Sequence, residues 1–136
     1  MKKEVNIEKK RKQTDNEYKI ICSLRRRVHN AMSKYKKGDS TIKLIGCNID
    51  EFKKWIEWQF DSEMTWQNYG VVWHVDHVIP CASFCLEQLD EQMKCFNWSN
   101  CRPLKKEENN KKSNKFLIDE INEHKIKINQ YLETNS

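Results

Sequence analysis

The sequence predicts an α+β protein. Three observations carry that prediction. Apolar residues recur at helical spacing in two segments before residue 62. Two short extended segments follow, one rich in Val and Ile and one marked by Pro103. A further helical segment comes last, so the order is helix, helix, strand, strand, helix. With 136 residues the chain is the size of one domain. Its 38% hydrophobic and 33% charged residues imply a small core, to which five Trp, five Phe and four Tyr bring large buried areas. Three Gly and two Pro argue against a turn-rich β-sandwich.

The first helix is expected over 16–37, where Tyr18, Ile21, Cys22, Leu24, Val28, Ala31, Met32 and Tyr35 repeat near helical spacing and Gly38 supplies a stop. Residues 39–48 read as a loop or short extended piece with Ile42, Leu44 and Ile45 buried. A second helix runs over about 49–61, capped by Asn48 or Asp50, with Phe52, Trp55, Ile56 and Phe60 as its apolar stripe. Residues 62–70 are a loop. VVWHVDHVIP (71–80) reads as a strand ended by Pro80. A short helix is expected around 86–93, and FNWSNCRPL (96–104) is a second extended segment. The last helix takes Phe116, Leu117, Ile118, Ile121, Ile126, Ile128 and Leu132 as its apolar content. The five tryptophans, at 55, 58, 66, 73 and 98, read as core. The organisation is thus a basic arm (1–15), a helical lead-in (16–65), a central unit (66–115) and a C-terminal helix (116–136).

The net charge of +5 is unevenly placed. Residues 1–37 hold 13 Lys/Arg against 4 Asp/Glu, residues 38–101 hold 4 against 10, and residues 102–115 hold 6 against 2. Two basic blocks flank an acidic centre. Such blocks attract polyanions by counterion release, although a solvated face or a lysine-rich arm has the same composition. No run approaches the roughly 20 apolar residues of a membrane span. The opening MKKEVNIEKKRK has no apolar signal region. An intracellular protein is expected, neither secreted nor membrane-bound.

Six cysteines stand at 22, 47, 81, 85, 95 and 101. Without a secretory signal a disulfide framework is not expected. No C-x-x-C knuckle is written. Cys81, Cys85, Cys95 and Cys101 could together hold a structural zinc, but reduced buried thiols are the plainer reading.

Three segments carry chemistry: Trp73-His74-Val75-Asp76-His77-Val78-Ile79-Pro80, then Asn97-Trp98-Ser99-Asn100-Cys101-Arg102-Pro103-Leu104, then Asn109-Asn110-Lys111-Lys112. Together they fit phosphodiester hydrolysis. That reaction needs a base for water, a hard cation for the phosphate and positive charge to hold a polyanion. His77 has the ordinary pKa of a base. Asp76 offers a carboxylate oxygen and Asn109 an amide oxygen, the ligands Mg²⁺ takes. Neighbours on a strand face opposite ways, so Asp76 and His77 meet one target only if the strand end curls.

The pattern Asp76-His77-x-x-Pro80, Asn100-x-x-Pro103-Leu104 and Asn109 with trailing lysines resembles the HNH (ββα-metal) nucleases. The upstream Gly46-Cys47 through Gln59-Phe60, Met64-Thr65-Trp66 and Asn68-Tyr69-Gly70 resemble the lead-in of small HNH proteins of large DNA viruses and phages. The resemblance implies an α+β chain with a ββα-metal core preceded by N-terminal helices and followed by a C-terminal helix. It implies His77 as general base on water, Asp76 and Asn109 as ligands of one divalent cation, Mg²⁺ or Mn²⁺, and Asn100 as the middle residue of the triad, holding the base-bearing loop by side-chain hydrogen bonds. The product ends would be 5′-phosphate and 3′-hydroxyl, the partner DNA, and the setting, for a viral chain, the cytoplasm or nucleus of a host cell. Arg102, Lys111, Lys112 and Lys115 would lie near the nucleic-acid backbone. The zinc knuckles that brace many members are not spelled here.

Each residue has a plainer role beside this one. His77 could be a hydrogen-bonded core histidine, Asp76 a turn carboxylate and Asn100 a turn residue. His74 reads as structural or surface. Arg25, Arg26 and Arg27 form either a solvated helix face or a backbone-contacting one. A nucleic-acid binder that keeps the fold without cleaving, and an RNA- or structure-directed nuclease, remain as rivals. A single site nicks one strand, and a double-strand break calls for a homodimer or two sequential cuts.

Overall fold

The structure, a computed structural model, describes residues 16–33, 40–108 and 118–135. Helix α1 spans Asn16–Ala31. Ile20, Leu24 and Val28 recur every fourth residue and are buried, with Met32 just beyond them, while Arg25 and Arg26 on the other face are exposed. Met32 and Ser33 already form a turn. The rest of the predicted first helix and Gly38 lie outside the described residues.

Residues 41–45 correct the sequence expectation. They form a short helix, α2 (Thr41–Ile45), not an extended piece. The signals are at its ends: the Ser40 side chain accepts from Lys43 N at 3.3 Å, and Gly46 stops the helix at φ +80°. A Cβ on Gly46 would come within 2.8 Å of Asn97 Nδ2, the end of a side chain that can shift, so it is the positive φ that calls for glycine here. Helix α3, Ile49–Trp58, opens with a capping box between Asn48 and Glu51 and buries Phe52, Trp55 and Ile56. It ends three residues short of the expected boundary.

Strand β1 is Trp73–His77, half the predicted length. Gly70 at φ +86° and the bonds from Val71 N and Val72 N to Asn68 O hold the preceding residues in turns. β1 pairs antiparallel with β2, Cys101–Lys105, in the register Trp73–Lys105 to His77–Cys101. A 3₁₀ turn at Cys81–Ser83, helix α4 (Leu89–Phe96) and a second 3₁₀ turn at Trp98–Asn100 connect them. Helix α4 begins three residues later than predicted. Leu86 precedes it, buried, and its carbonyl accepts from Gln92 Nε2 at 2.9 Å.

The last helix, α5, spans Ile118–Thr134. Ile118, Ile126 and Leu132 are exposed. Ile121 and Ile128 of the expected apolar content pack, together with His124 and Tyr131, spaced three and four residues apart. Phe116 and Leu117 lie outside the described residues.

The core has two parts. One joins α1, α3 and the sheet through Ile20, Leu24, Phe52, Trp55, Trp66, Trp73 and Val75. The other joins α1, α2 and α4 through Val28, Met32, Leu44, Leu86, Cys95 and Phe96. Each such side chain contributes about 1.5–3 kcal/mol by burial. Trp55 is the hub: Trp98 and Tyr131 meet it edge-on at 5.3 and 5.0 Å, and its Nε1 donates to Cys101 O at 3.0 Å. Trp58, read from the sequence as core, is instead exposed and stacks on Trp55 at 6.0 Å. Among the described residues no helix is long and apolar enough to cross a membrane.

Candidate functional site

The end of β1 is held by one side chain. Asn100 Oδ1 accepts from Ile79 N at 2.9 Å, and its Nδ2 donates to Ile79 O at 3.0 Å and to Cys95 O at 2.9 Å. Its backbone carbonyl accepts from Val78 N at 2.9 Å. Asn100 is buried, so these bonds satisfy polar groups that water cannot reach. They anchor the two residues that directly follow His77 to the start of β2 and the end of α4.

Asp76 and His77 leave the strand in opposite directions. Asp76 lies across from Arg102, and its Oδ2 accepts from Arg102 Nε at 3.1 Å. Arg102 Nη2 also approaches Glu120 Oε2 of α5 at 3.6 Å. Asp76 is buried within this chain of charges. His77 lies across from Cys101, on the other face. Its ring packs edge-on against Phe96 at 5.7 Å, and its Nδ1 is 3.8 Å from Cys81 Sγ. Burial pushes the His77 imidazole down, and the Cys101 and Cys81 sulfurs more than offset that, raising it to about 10. Cys81 in turn accepts from Cys95 Sγ at 3.1 Å. That donation, opposed by burial and helped by His77, holds the Cys81 thiol well below its usual range, while the same bond and burial push Cys95 up.

The three arginines of α1 are not equivalent. Arg25 and Arg26 are exposed, whereas Arg27 is half-buried and its Nε is enclosed without a hydrogen-bond partner. Arg27 is near enough to His74 to act on it: burial lowers the His74 imidazole, and the charges of Arg27 and Lys106 lower it further. A separate histidine, His124, ties α5 to the site. Its Nε2 donates to Ser99 O at 2.7 Å, next to Asn100. Burial lowers it to about 4, against the raising effect of the Ser99 bond. It is neutral at pH 7.

The fold thus brings Asp76, His77, Asn100 and Arg102 to one strand pair. Arg102, expected near the nucleic-acid backbone, has its guanidinium on Asp76 and Glu120. Asn109, Asn110, Lys111, Lys112, Lys115 and the basic arm lie outside the described residues. Of the four cysteines considered for zinc, Cys81 and Cys95 touch, Cys101 lies beside His77, and Cys85 is exposed. Among the described residues no group of three or more His, Cys, Asp or Glu is arranged to hold a metal ion. Mg²⁺ does not require such a group, because it is usually held by one or two carboxylates, waters and substrate phosphate. Asp76 is a donor of that kind. Sequence reasoning missed Glu120 and His124. Only their i, i+4 spacing, on the face of α5 that includes Ile121 and Ile128, could have pointed to them.

No family model matches the chain, and no solved structure matches it. The chain is similar to two uncharacterized proteins of Acanthamoeba polyphaga mimivirus. One is 43% identical over 118 residues, covering 87% of this chain and 52% of the relative. The other is 37% identical over 131 residues, covering 96% of this chain and 58% of the relative. The chain therefore spans somewhat over half the length of the curated relatives it matches.

Proposed function

We propose that this chain is a metal-dependent DNA endonuclease of the HNH, ββα-metal type, which hydrolyses phosphodiesters to 5′-phosphate and 3′-hydroxyl ends. The observation that carries the reading is the grip of Asn100 on the segment after His77. A histidine that removes a proton from water must be held in place, and a buried side chain with three hydrogen bonds beside it does that. Asp76 and His77 are consecutive at the end of β1, where the register sets them across from Arg102 and Cys101.

In this reading His77 takes the proton of the attacking water. It does so only after losing its own proton, which a positive charge held by Asp76 favours. Asp76 and Asn109 would hold the divalent cation, which when bound neutralises the phosphate and the departing oxygen. Arg102 Nε donates to Asp76 Oδ2 and so orients that carboxylate. The opposite directions of Asp76 and His77 require the substrate phosphate to sit at the tip of β1, where the strand gives way to the turn. Arg27 and the basic blocks supply the charge that holds a polyanion.

The Asp76–Arg102 ion pair favours a second reading, a nucleic-acid binder without cleavage, because the carboxylate already has a cation of its own. A supercoiled-plasmid assay with Mg²⁺, Mn²⁺ or EDTA separates the two. Nicked or linear product that needs the metal and carries 5′-phosphate ends supports the nuclease. DNA binding with no cut in either metal supports the binder.

A further inference from the structure

We propose that Cys81 and Cys95 form a redox-modification site, which peroxide oxidises to a disulfide and which controls one of the two sulfur partners of His77. The two thiols come from different elements, Cys81 from the turn after Pro80 and Cys95 from α4. Their sulfurs are nevertheless 3.1 Å apart. A disulfide bond is about 2.05 Å long, so roughly 1 Å of approach closes it. Cys81 is half-buried and open to a small oxidant, whereas Cys95 is fully buried behind it. That is the arrangement of an attacking thiol and a resolving one. The Cys95 S–H bond and His77 both favour the Cys81 thiolate, the reactive form.

The chemistry balances with peroxide as oxidant. The Cys81 thiolate attacks a peroxide oxygen and the O–O bond breaks, which gives a sulfenic acid and hydroxide. Cys95 loses its proton, and its sulfur attacks the Cys81 sulfur and displaces the second hydroxide. Two thiols lose two electrons and two protons, and hydrogen peroxide becomes two waters. A dithiol reverses the bond by exchange.

The consequence falls on His77. The same sulfur lies 3.8 Å from His77 Nδ1. As a thiolate it is a charged acceptor, and as half of a disulfide it is a neutral and weak one. This consequence rests on the nuclease reading, in which the orientation of His77 sets the rate.

The test uses the full chain, reduced and then treated with hydrogen peroxide. Alkylation under denaturing conditions and peptide mapping by mass spectrometry follow. The expected product is a Cys81–Cys95 linked peptide, lighter by two hydrogens and reopened by dithiothreitol. Cys95→Ala and Cys81→Ser should form no link, and Cys95→Ala should accumulate sulfinic acid at Cys81. Oxidation at Cys85 with Cys81 and Cys95 still alkylated overturns the proposal. So does stoichiometric zinc that shields both thiols, which would make the pair a metal site. Plasmid cleavage by the linked protein should change at least about tenfold and return to the reduced rate with dithiothreitol. A link that leaves cleavage unchanged overturns the coupling to His77. A chain that links but never cleaves, even reduced, overturns the nuclease reading and leaves the modification site standing.

Discussion

Asn100 and Ile79 exchange two hydrogen bonds, with the side-chain amide of one residue facing the backbone of the other at 2.9 and 3.0 Å. The side chain thus extends the β1–β2 pairing to Ile79, one residue past the backbone bond from Val78 N to Asn100 O. A third bond to Cys95 O brings α4 into the same joint.

Asn100→Ala should therefore cost stability as well as activity. Removing one buried and two part-buried bonds leaves the Ile79 and Cys95 backbone groups without this partner, a loss of about 2–4 kcal/mol. Urea unfolding measures it, and a midpoint unchanged from wild type would show that water replaces the amide.

His77→Ala should lower plasmid cleavage by about 10²-fold or more while DNA affinity is retained. Cleavage at the wild-type rate would remove His77 from the base role. Asp76→Ala should instead raise the Mg²⁺ or Mn²⁺ concentration that half-maximal cleavage requires. An unchanged metal titration would refute its part as a ligand.

Within α1, Arg27→Gln should reduce the slope of log affinity against log salt by up to about 0.9, the release of one phosphate's counterion. Arg25→Gln and Arg26→Gln test the exposed face. Slopes equal to wild type for all three would return the helix to a solvated role.

His124 sets an acid limit on the fold. Its folded pKa of about 4 lies below the unfolded value of 6.5, so the unfolded chain binds the extra proton between these values. The stability that His124 contributes is complete above about pH 6.5 and is lost as the pH falls to about 4. The loss should reach up to about 2 kcal/mol after allowance for partial solvent exposure. His124→Gln keeps a donor for Ser99 O without titrating, and should flatten the stability profile between pH 6.5 and 4. An equally steep profile in the variant would assign that slope to other groups.

The α+β class, the two short extended segments and the apolar faces of α1 and α3 could be read from the sequence, because periodicity and caps are local properties. Ser40 and Gly46 also mark α2, but five residues are too few for periodicity to outweigh a loop reading. The positions of Asp76, His77 and Asn100 were equally visible as spacing. Their partners were not. Arg102 lies 26 residues from Asp76 and takes its carboxylate because β2 pairs in a single register. Cys95 reaches Cys81 because α4 folds back across the turn after Pro80, and His124 reaches Ser99 from a helix near the other end of the chain. Sequence alone determined which residue types were available and the local elements that carry them. The tertiary structure decided which of them touch, because contact between distant residues depends on strand register and helix docking, and burial then decides their charge.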